Sequence, residues 1–182
     1  MLADAIDTAA INGSGSSSQP TGILQTTGIG SVAGGTNGLA PTLDYLLDLK
    51  KEISVDNVDV ASCGFLANAT VESVLAKANH SLNQYLLSPY GAELGRSKIG
   101  GRRPEVSNNV PSNLTNGTAT NLSSVIDGNS ADLLIGMFGQ LEILVDPYPD
   151  FANGTVGVRA LQSIDIAVRH AESFAPMHDA IA

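Results

Sequence analysis

The stretch from Leu133 to Pro176 constrains the fold of this chain more than any other. Two runs rich in apolar and β-branched residues, Leu133–Tyr148 and Thr155–His170, flank a turn that contains Pro149 and Gly154. In the second run the apolar residues recur mostly at every second position, the period of a β-strand; they are Val156, Val158, Ala160, Ile164, Ile166 and Val168. The sequence therefore predicts two long strands that fold back on each other, with one buried face.

The composition is that of one domain or two small lobes. The chain has 182 residues, of which 43% are hydrophobic, 15% charged and 4% aromatic, so the core must be built from Leu, Val, Ile and Ala. A net charge of −9 argues against nonspecific nucleic-acid binding and against docking on an anionic membrane. No stretch approaches the roughly 18 apolar residues of a membrane helix, and no signal peptide is recognisable, so we expect a soluble, intracellular protein.

Three helices are expected. The first covers residues 2–10 and is stopped by Asn12 and Gly13. The second runs from about Pro41 to Ile53 and buries one stripe, formed by Leu43, Leu46, Leu47 and Ile53. The third is capped by Asn68 and buries residues at helical spacing, namely Val71, Val74, Leu75 and Ala78.

The remaining segments are predicted as short strands and loops. Extended pieces are expected at Val60–Ala67, Tyr85–Leu87 and Pro104–Pro111. Residues 112–131 are rich in Asn, Ser, Thr and Gly, which predicts a long surface loop. Pro176 is expected to end regular structure and to leave residues 177–182 as a frayed tail.

Two features could bind a small ligand. The Gly28–Gly38 segment has the glycine content of a phosphate-binding loop, but it lacks the preceding buried strand and the immediate helix that such a loop needs. Asp146 and Asp150 flank a proline-rich turn, and paired carboxylates can act in acid–base catalysis or hold Ca²⁺. A solvated hairpin tip is the favoured interpretation, because no third ligand is near in sequence.

Other chemically reactive residues point to structure rather than catalysis. Cys63, the only cysteine, lies in an apolar stretch and is expected to be buried and unreactive. The three histidines have no zinc-site spacing; they are His80, His170 and His178. The basic residues Arg96, Lys98, Arg102 and Arg103 are interpreted as a solvated loop, with contact to an acidic neighbouring subunit as the alternative.

The opening residues carry the most specific family resemblance. Ala5–Gly15, followed by Gln19–Leu24, resembles the helix, Asn-Gly-x-Gly and Pro-x-Gly-Ile block of tailed-phage major capsid proteins, which share the lambdoid-type capsid fold. Later blocks resemble that family in the same order, with Glu105 intruding into one of them. They are Leu43–Ile53, Phe65–Thr70, Val71–Ala78, Tyr85–Leu86, Gly100–Val110, Leu134–Phe138 and Val156–Phe174.

The resemblance implies an α+β, phage major-capsid-like fold. It implies an axial lobe with helices around a small sheet, plus the C-terminal long-strand part of a peripheral lobe. Residues 1–24 would be the end of a spine helix and a connecting loop, residues 25–134 the axial-like lobe, and residues 135–182 the long β-hairpin of the peripheral-like lobe. The family's N-terminal arm, extended loop and most of the spine helix precede the block at which this chain starts.

The function implied by the resemblance is that of a structural subunit, or part of one, of an icosahedral phage or prophage capsid. The implied partners are other copies in pentamers and hexamers, with scaffold or portal proteins as further candidates, in a virion assembled in the bacterial cytoplasm. No catalytic residue, cofactor, metal, membrane or sequence-specific nucleic acid is implied. Some relatives crosslink through an asparagine; Asn153 falls near that region, but the role is not assigned to it.

The alternative function is a small-ligand- or metal-binding enzyme domain that uses Gly28–Gly38 and the pair Asp146 and Asp150. A pocket lined by these residues is what that alternative predicts. For the chain alone, the resemblance predicts weak self-association at most, because the segments that lace subunits together in the family precede it.

Overall fold

The computed structural model describes residues 2–78, 98–99, 101–148 and 153–182. Its helices are α1 (Leu2–Asn12), α2 (Leu43–Val55) and α3 (Ala69–Lys77). Its strands are β1 (Cys63–Ala67), β2 (Arg103–Val106), β3 (Leu114–Asn116), β4 (Ala119–Asn129), β5 (Leu133–Asp146), β6 (Gly157–Val168) and β7 (Phe174–Ala180). The predicted strand at Tyr85–Leu87 lies outside the described residues.

A five-stranded sheet forms the body of the protein, and β4 is its organising strand. β4 pairs antiparallel with β1, β3 and β7, while β2 joins the far side of β1 in parallel. Both faces of the sheet are partly covered. On one face α2 contributes Leu46, Leu49 and Ile53 to a core with Phe65 and Met177. A second cluster joins residues from α1 and from the segment after it to the sheet; it contains Ile11, Ile23, Leu24, Val110, Ile126 and Phe174.

The helix predictions are confirmed, with small shifts in their ends and faces. Asn68 caps α3, as predicted: its side chain accepts a hydrogen bond from the Val71 N–H at 2.9 Å. α2 buries Leu46, Leu49 and Ile53. The predicted stripe was wrong at Leu47, which is exposed.

The predicted loop at residues 112–131 was wrong, because most of it forms β3 and the eleven-residue β4. Thr120 and Asn121 at the start of β4 are exposed, but its later polar residues, from Ser123 to Asn129, are buried. Ser124 Oγ donates to the Met177 carbonyl at 3.1 Å, and Ser123 Oγ accepts from Asn68 Nδ2 at 2.9 Å. Burial of a polar strand is possible when each polar group has such a partner.

The predicted frayed tail was also wrong, because residues 174–180 form β7 and lie in the sheet core. Pro176 does not interrupt the strand. Its carbonyl accepts from the Val32 N–H at 3.2 Å, so the backbone groups of residue 176 point away from β4. The missing proline N–H therefore costs no bond in the β4–β7 ladder.

The predicted hairpin is confirmed as the antiparallel pair β5–β6. A register shift between Phe138 and Glu142 leaves extra residues on β5, including Gly139 at φ +73°, a bulge that bends the strand. The expected buried face exists only at the base, where Ile166 packs on Ala9 and Ala10 of α1. Farther out, apolar side chains on both faces are exposed.

Candidate functional site: the hairpin surface and the ligand candidates

The Gly28–Gly38 segment is bound along the outer edge of β7. Gly30 N–H donates to the Phe174 carbonyl at 2.9 Å, and Leu39 N–H donates to the Asp179 carbonyl at 3.1 Å. No helix starts at its glycines, since the next helix is α2 at Leu43. The segment therefore serves as an added edge of the sheet.

The N–H groups that could cradle a phosphate are bonded to Asp179. Its carboxylate oxygens accept from Gly34 N–H at 2.9 Å and from Gly35 N–H at 3.2 Å, and Asn116 Nδ2 adds a bond of 3.2 Å. Asp179 is only 3% exposed. A buried carboxylate of the same chain thus occupies the position that an anionic ligand would need.

The predicted acidic pair is not assembled into a site by the described residues. Asp146 ends β5 in an exposed position, where its Oδ1 accepts from the Tyr148 N–H at 3.0 Å. Asp150 lies outside the described residues. Across the described ranges, no three His, Cys, Asp or Glu side chains converge closely enough to hold a metal ion.

The predicted basic cluster is divided by the fold. Arg96 lies outside the described residues, and Lys98 is exposed. Arg103 is exposed and pairs with the exposed Glu105 at 2.7 Å. The interpretation as a solvated loop was wrong for Arg102, which is 4% exposed.

Arg102 instead forms a buried ion pair with Asp127 of β4. Its guanidinium carbon also lies 5.9 Å from the centroid of the Phe65 ring on β1. Burial lowers the pKa of Arg102, but a guanidinium keeps its proton in proteins. The pair therefore places two opposite charges inside the core, where either charge would be strongly destabilising without its partner.

Burial favours the neutral forms of Cys63 and His178. Burial raises the pKa of the Cys63 thiol, an effect that the nearby Arg102 guanidinium only partly offsets. Burial also lowers the pKa of His178, against an opposing effect of Asp179. Cys63 is buried, as predicted, and a protonated thiol is a poor nucleophile.

One open cleft of about 590 Å³ lies beside α1. Its lining is mostly apolar and includes Ile11, Leu66, Ile126 and Phe174, together with the charged residues Asp7, Arg103 and Glu105. Arg103 and Glu105 already pair with each other. The lining thus has the character of a packing surface rather than of a catalytic pocket.

The hairpin ribbon, defined here as β5 and β6, and the residues next to it hold most of the exposed large apolar side chains among the described residues. Met137 is 66% exposed on β5 and Val158 is 67% exposed on β6. The exposed large apolar residues in or next to the ribbon are Leu134, Ile135, Met137, Phe138, Leu141, Ile143, Leu144, Val145, Tyr148, Val156, Val158 and Leu161. Exposed apolar patches are typical of protein–protein or membrane interaction sites and of ligand-binding grooves.

None of the helices in the described ranges has the length and apolar character needed to cross a membrane.

Comparison with known proteins identifies a family and a fold. The sequence model of the Phage capsid family matches residues 1–179. No curated protein matches the chain in sequence.

Three solved structures illustrate the likeness in fold. The capsid of an empty GTA particle superposes at a TM-score of 0.75 with 20% identity, covering 99% of this chain and 63% of that one. A Gordonia phage Cozz structure gives 0.63 with 20% identity, covering 100% of this chain and 60% of that one. A Mycobacterium phage Ogopogo structure gives 0.65 with 19% identity, covering 98% of this chain and 64% of that one. The chain thus spans less than two thirds of the length of each, and the capsid-like α+β fold predicted from the sequence is confirmed.

Proposed function

This chain belongs to the phage capsid family, and from that premise we propose that it is part of a structural subunit of an icosahedral phage or prophage head. The observation that carries the proposal is the family match over residues 1–179 together with a capsid fold over the same span. In this proposal the protein forms the shell through its shape and through contacts between subunits, without catalysis. The partners are other copies of the subunit, arranged as pentamers and hexamers, with scaffold and portal proteins as further contacts.

The domain division follows the same proposal, with one adjustment. Residues 1–24 end the spine helix and connect it, residues 25–134 form the axial-like lobe, and residues 135–182 carry the peripheral hairpin. β7 lies in the third range but pairs with β4 of the second. We therefore assign β7 to the axial sheet and the ribbon alone to the peripheral lobe.

A non-catalytic role is supported by what the candidate residues do in the fold. Asp179 accepts a hydrogen bond from Gly34 in the glycine-rich segment, and Arg102 forms an ion pair with Asp127. Burial disfavours the thiolate form of Cys63. Large exposed apolar area on the ribbon suits repeated subunit contacts, because a shell is built from many copies of the same interface. The proposed location is the virion capsid, with assembly in the host cytoplasm.

Shell formation by the complete coding sequence that contains this chain tests the proposal. Expression in a bacterial host followed by negative-stain electron microscopy should show rings or closed shells. A matched variant, Val158→Glu with Leu144→Glu, places charges on exposed ribbon positions and should reduce shell yield without lowering the melting temperature. Monomeric, shell-free protein under all assembly conditions would overturn the proposal.

A further inference from the structure

Four asparagines of this chain are followed directly by glycine; they are Asn12, Asn37, Asn116 and Asn153. Asparagine deamidates most readily in this pair, because the backbone nitrogen of the next residue attacks the side-chain carbon Cγ and glycine has no side chain to obstruct the attack. The structure distinguishes three of the four sites. Asn153 is left aside, since residues 149–152 before it lie outside the described ranges.

Asn12 and Asn116 are held in arrangements that oppose the attack. Asn12 ends α1, and the Gly13 N–H donates to the Ala9 carbonyl at 2.9 Å, so the attacking nitrogen is already bonded. Asn116 donates through Nδ2 to the Asp179 carboxylate at 3.2 Å. Deamidation of Asn116 would therefore place a new carboxylate beside a buried one, which repulsion between like charges disfavours.

Asn37 lies in an exposed turn where both reacting nitrogens are only weakly bonded. The Gly38 N–H, the attacking group, donates to the Gly35 carbonyl over 3.4 Å, which is long for a hydrogen bond. The Asn37 Nδ2 group, which must leave as ammonia, has no hydrogen-bond partner among the described residues. Neither bond that the reaction rearranges is therefore opposed by a strong contact.

Thr118 directs two hydrogen-bond donors at the oxygen of the same amide. Its N–H donates to Asn37 Oδ1 at 3.1 Å, and its Oγ1 hydroxyl donates to the same oxygen at 3.2 Å. Negative charge develops on this oxygen when the Gly38 nitrogen attacks Cγ. Donors aimed at such an oxygen stabilise the developing charge, as the oxyanion hole of an acyl-transfer enzyme does.

We propose that Asn37 is a site of self-catalysed deamidation, in which Thr118 stabilises the developing oxyanion. The Gly38 nitrogen forms a bond to Asn37 Cγ and gives its proton to water. The bond from Cγ to Nδ2 breaks, and the departing group takes up a proton and leaves as ammonia. Water then opens the resulting cyclic imide to aspartate or isoaspartate. The proposal goes beyond the capsid role and does not depend on it, since the reaction needs only this turn, Thr118 and water.

The isoaspartate product would disturb the contact between this turn and the β3–β4 turn. The two turns are tightly packed, because a Cβ atom on Gly117 would collide with Asn37 Oδ1 and with the Thr36 carbonyl oxygen. Isoaspartate adds a methylene to the backbone, for which the contact has no space. Asn116, the neighbour of Gly117, bonds Asp179, so separation of the turns weakens the attachment of the glycine-rich segment to β7.

Peptide mapping by mass spectrometry, after incubation at pH 8 in native buffer and in urea, tests the assignment of the site. In urea Asn12, Asn37 and Asn116 should deamidate at similar rates, because each precedes glycine. In the folded protein Asn37 should keep the rate it has in urea, while the other two sites slow about tenfold or more, since they react only after local opening. Equal slowing of all three sites would overturn the proposal.

Thr118→Val tests self-catalysis, because it removes the hydroxyl donor and keeps the backbone N–H. It should slow the deamidation of Asn37 in the folded protein about fivefold and have no effect in urea. Thr115→Val, the same chemical change at an exposed residue of β3, is the matched control and should leave the rate unchanged. An unchanged or faster reaction in Thr118→Val would overturn the catalytic role of Thr118.

Melting curves test the consequence for the fold. The isoaspartate form, isolated by chromatography, should melt at a lower temperature than the unmodified protein. Asn37→Asp is its control, because it adds the same charge without lengthening the backbone and keeps an oxygen that can accept from Thr118. It should melt as the unmodified protein does, and identical melting of all three forms would overturn the proposed disturbance of the turns.

Discussion

Arg102 and Arg103 are adjacent in sequence and have opposite environments. The Arg102 side chain is 3% exposed and paired with Asp127, whereas the Arg103 side chain is 72% exposed and paired with Glu105. An ion pair in the core is costly to break, because the remaining partner is left charged without compensation. A surface pair contributes little, because water screens it.

We expect Arg102→Met to lower the free energy of unfolding by about 3–5 kcal/mol. The control Arg103→Met should change it by less than about 1 kcal/mol. Urea denaturation followed by circular dichroism measures both. Combining Arg102→Met with Asp127→Leu should cost less than the sum of the two single changes, since it removes both charges. Additive losses would show that the two side chains are not coupled.

Cys63 should react slowly with thiol reagents in the native protein. Its buried thiol has a pKa above the ordinary value of 9.0, so the reactive thiolate is scarce near neutral pH. Labelling with a chromogenic disulfide reagent at pH 8 should be fast only after denaturant is added. Equal rates with and without denaturant would contradict burial.

The same pKa gives a pH dependence of stability. Above pH 9 the unfolded chain loses its thiol proton while the folded chain keeps it, so the folded state binds more protons. The contribution of Cys63 is therefore complete below that pH and falls as the pH rises through the folded pKa. Comparison with Cys63→Ala, by urea denaturation at pH 8 and pH 10, should show a smaller loss of stability in the variant.

At the level of single elements, the start of α3 offers a clean test of capping. Asn68 accepts from the Val71 N–H at 2.9 Å and donates to Ser123 Oγ at 2.9 Å. Asn68→Ala should lower the free energy of unfolding by about 1–2 kcal/mol. Thr42, the residue before α2, makes no such side-chain bond, so Thr42→Ala should have almost no effect. Losses of similar size from both substitutions in urea denaturation would contradict the capping role.

The elements that sequence reasoning found are those whose pattern is local. The cap at Asn68, the helical spacing around Val71 and the period-two run of β6 depend on near neighbours alone. β4 and β7 were missed because their signals are not local. Ser123, Ser124 and Asp127 resemble loop residues until their distant partners are known, and Pro176 resembles a terminator until the position of Val32 is known.

For the whole molecule, we expect small anionic ligands and divalent cations to leave the stability of the protein unchanged. Asp179 already accepts from Gly34 and Gly35, and Asp146 has no converging carboxylates among the described residues. Addition of nucleotides, Mg²⁺ or Ca²⁺ should therefore leave the melting temperature of the chain unchanged, because only ligands that bind the native state raise it. A saturable rise in melting temperature would revive the enzyme alternative.

The hydrogen bond between Gly34 and Asp179 joins residues 145 positions apart in sequence. This separation affects the order in which parts of the chain fold. Contacts between residues so far apart form slowly, because a long loop must close first. The paired ends of β5 and β6, Asp146 and Gly157, lie close in sequence, and β-hairpins form within about 10 microseconds. We therefore expect the ribbon to form before the sheet is complete, so that its exposed apolar side chains can associate with other chains while the sheet is still forming. Slower synthesis and lower temperature should favour the folded chain over aggregates.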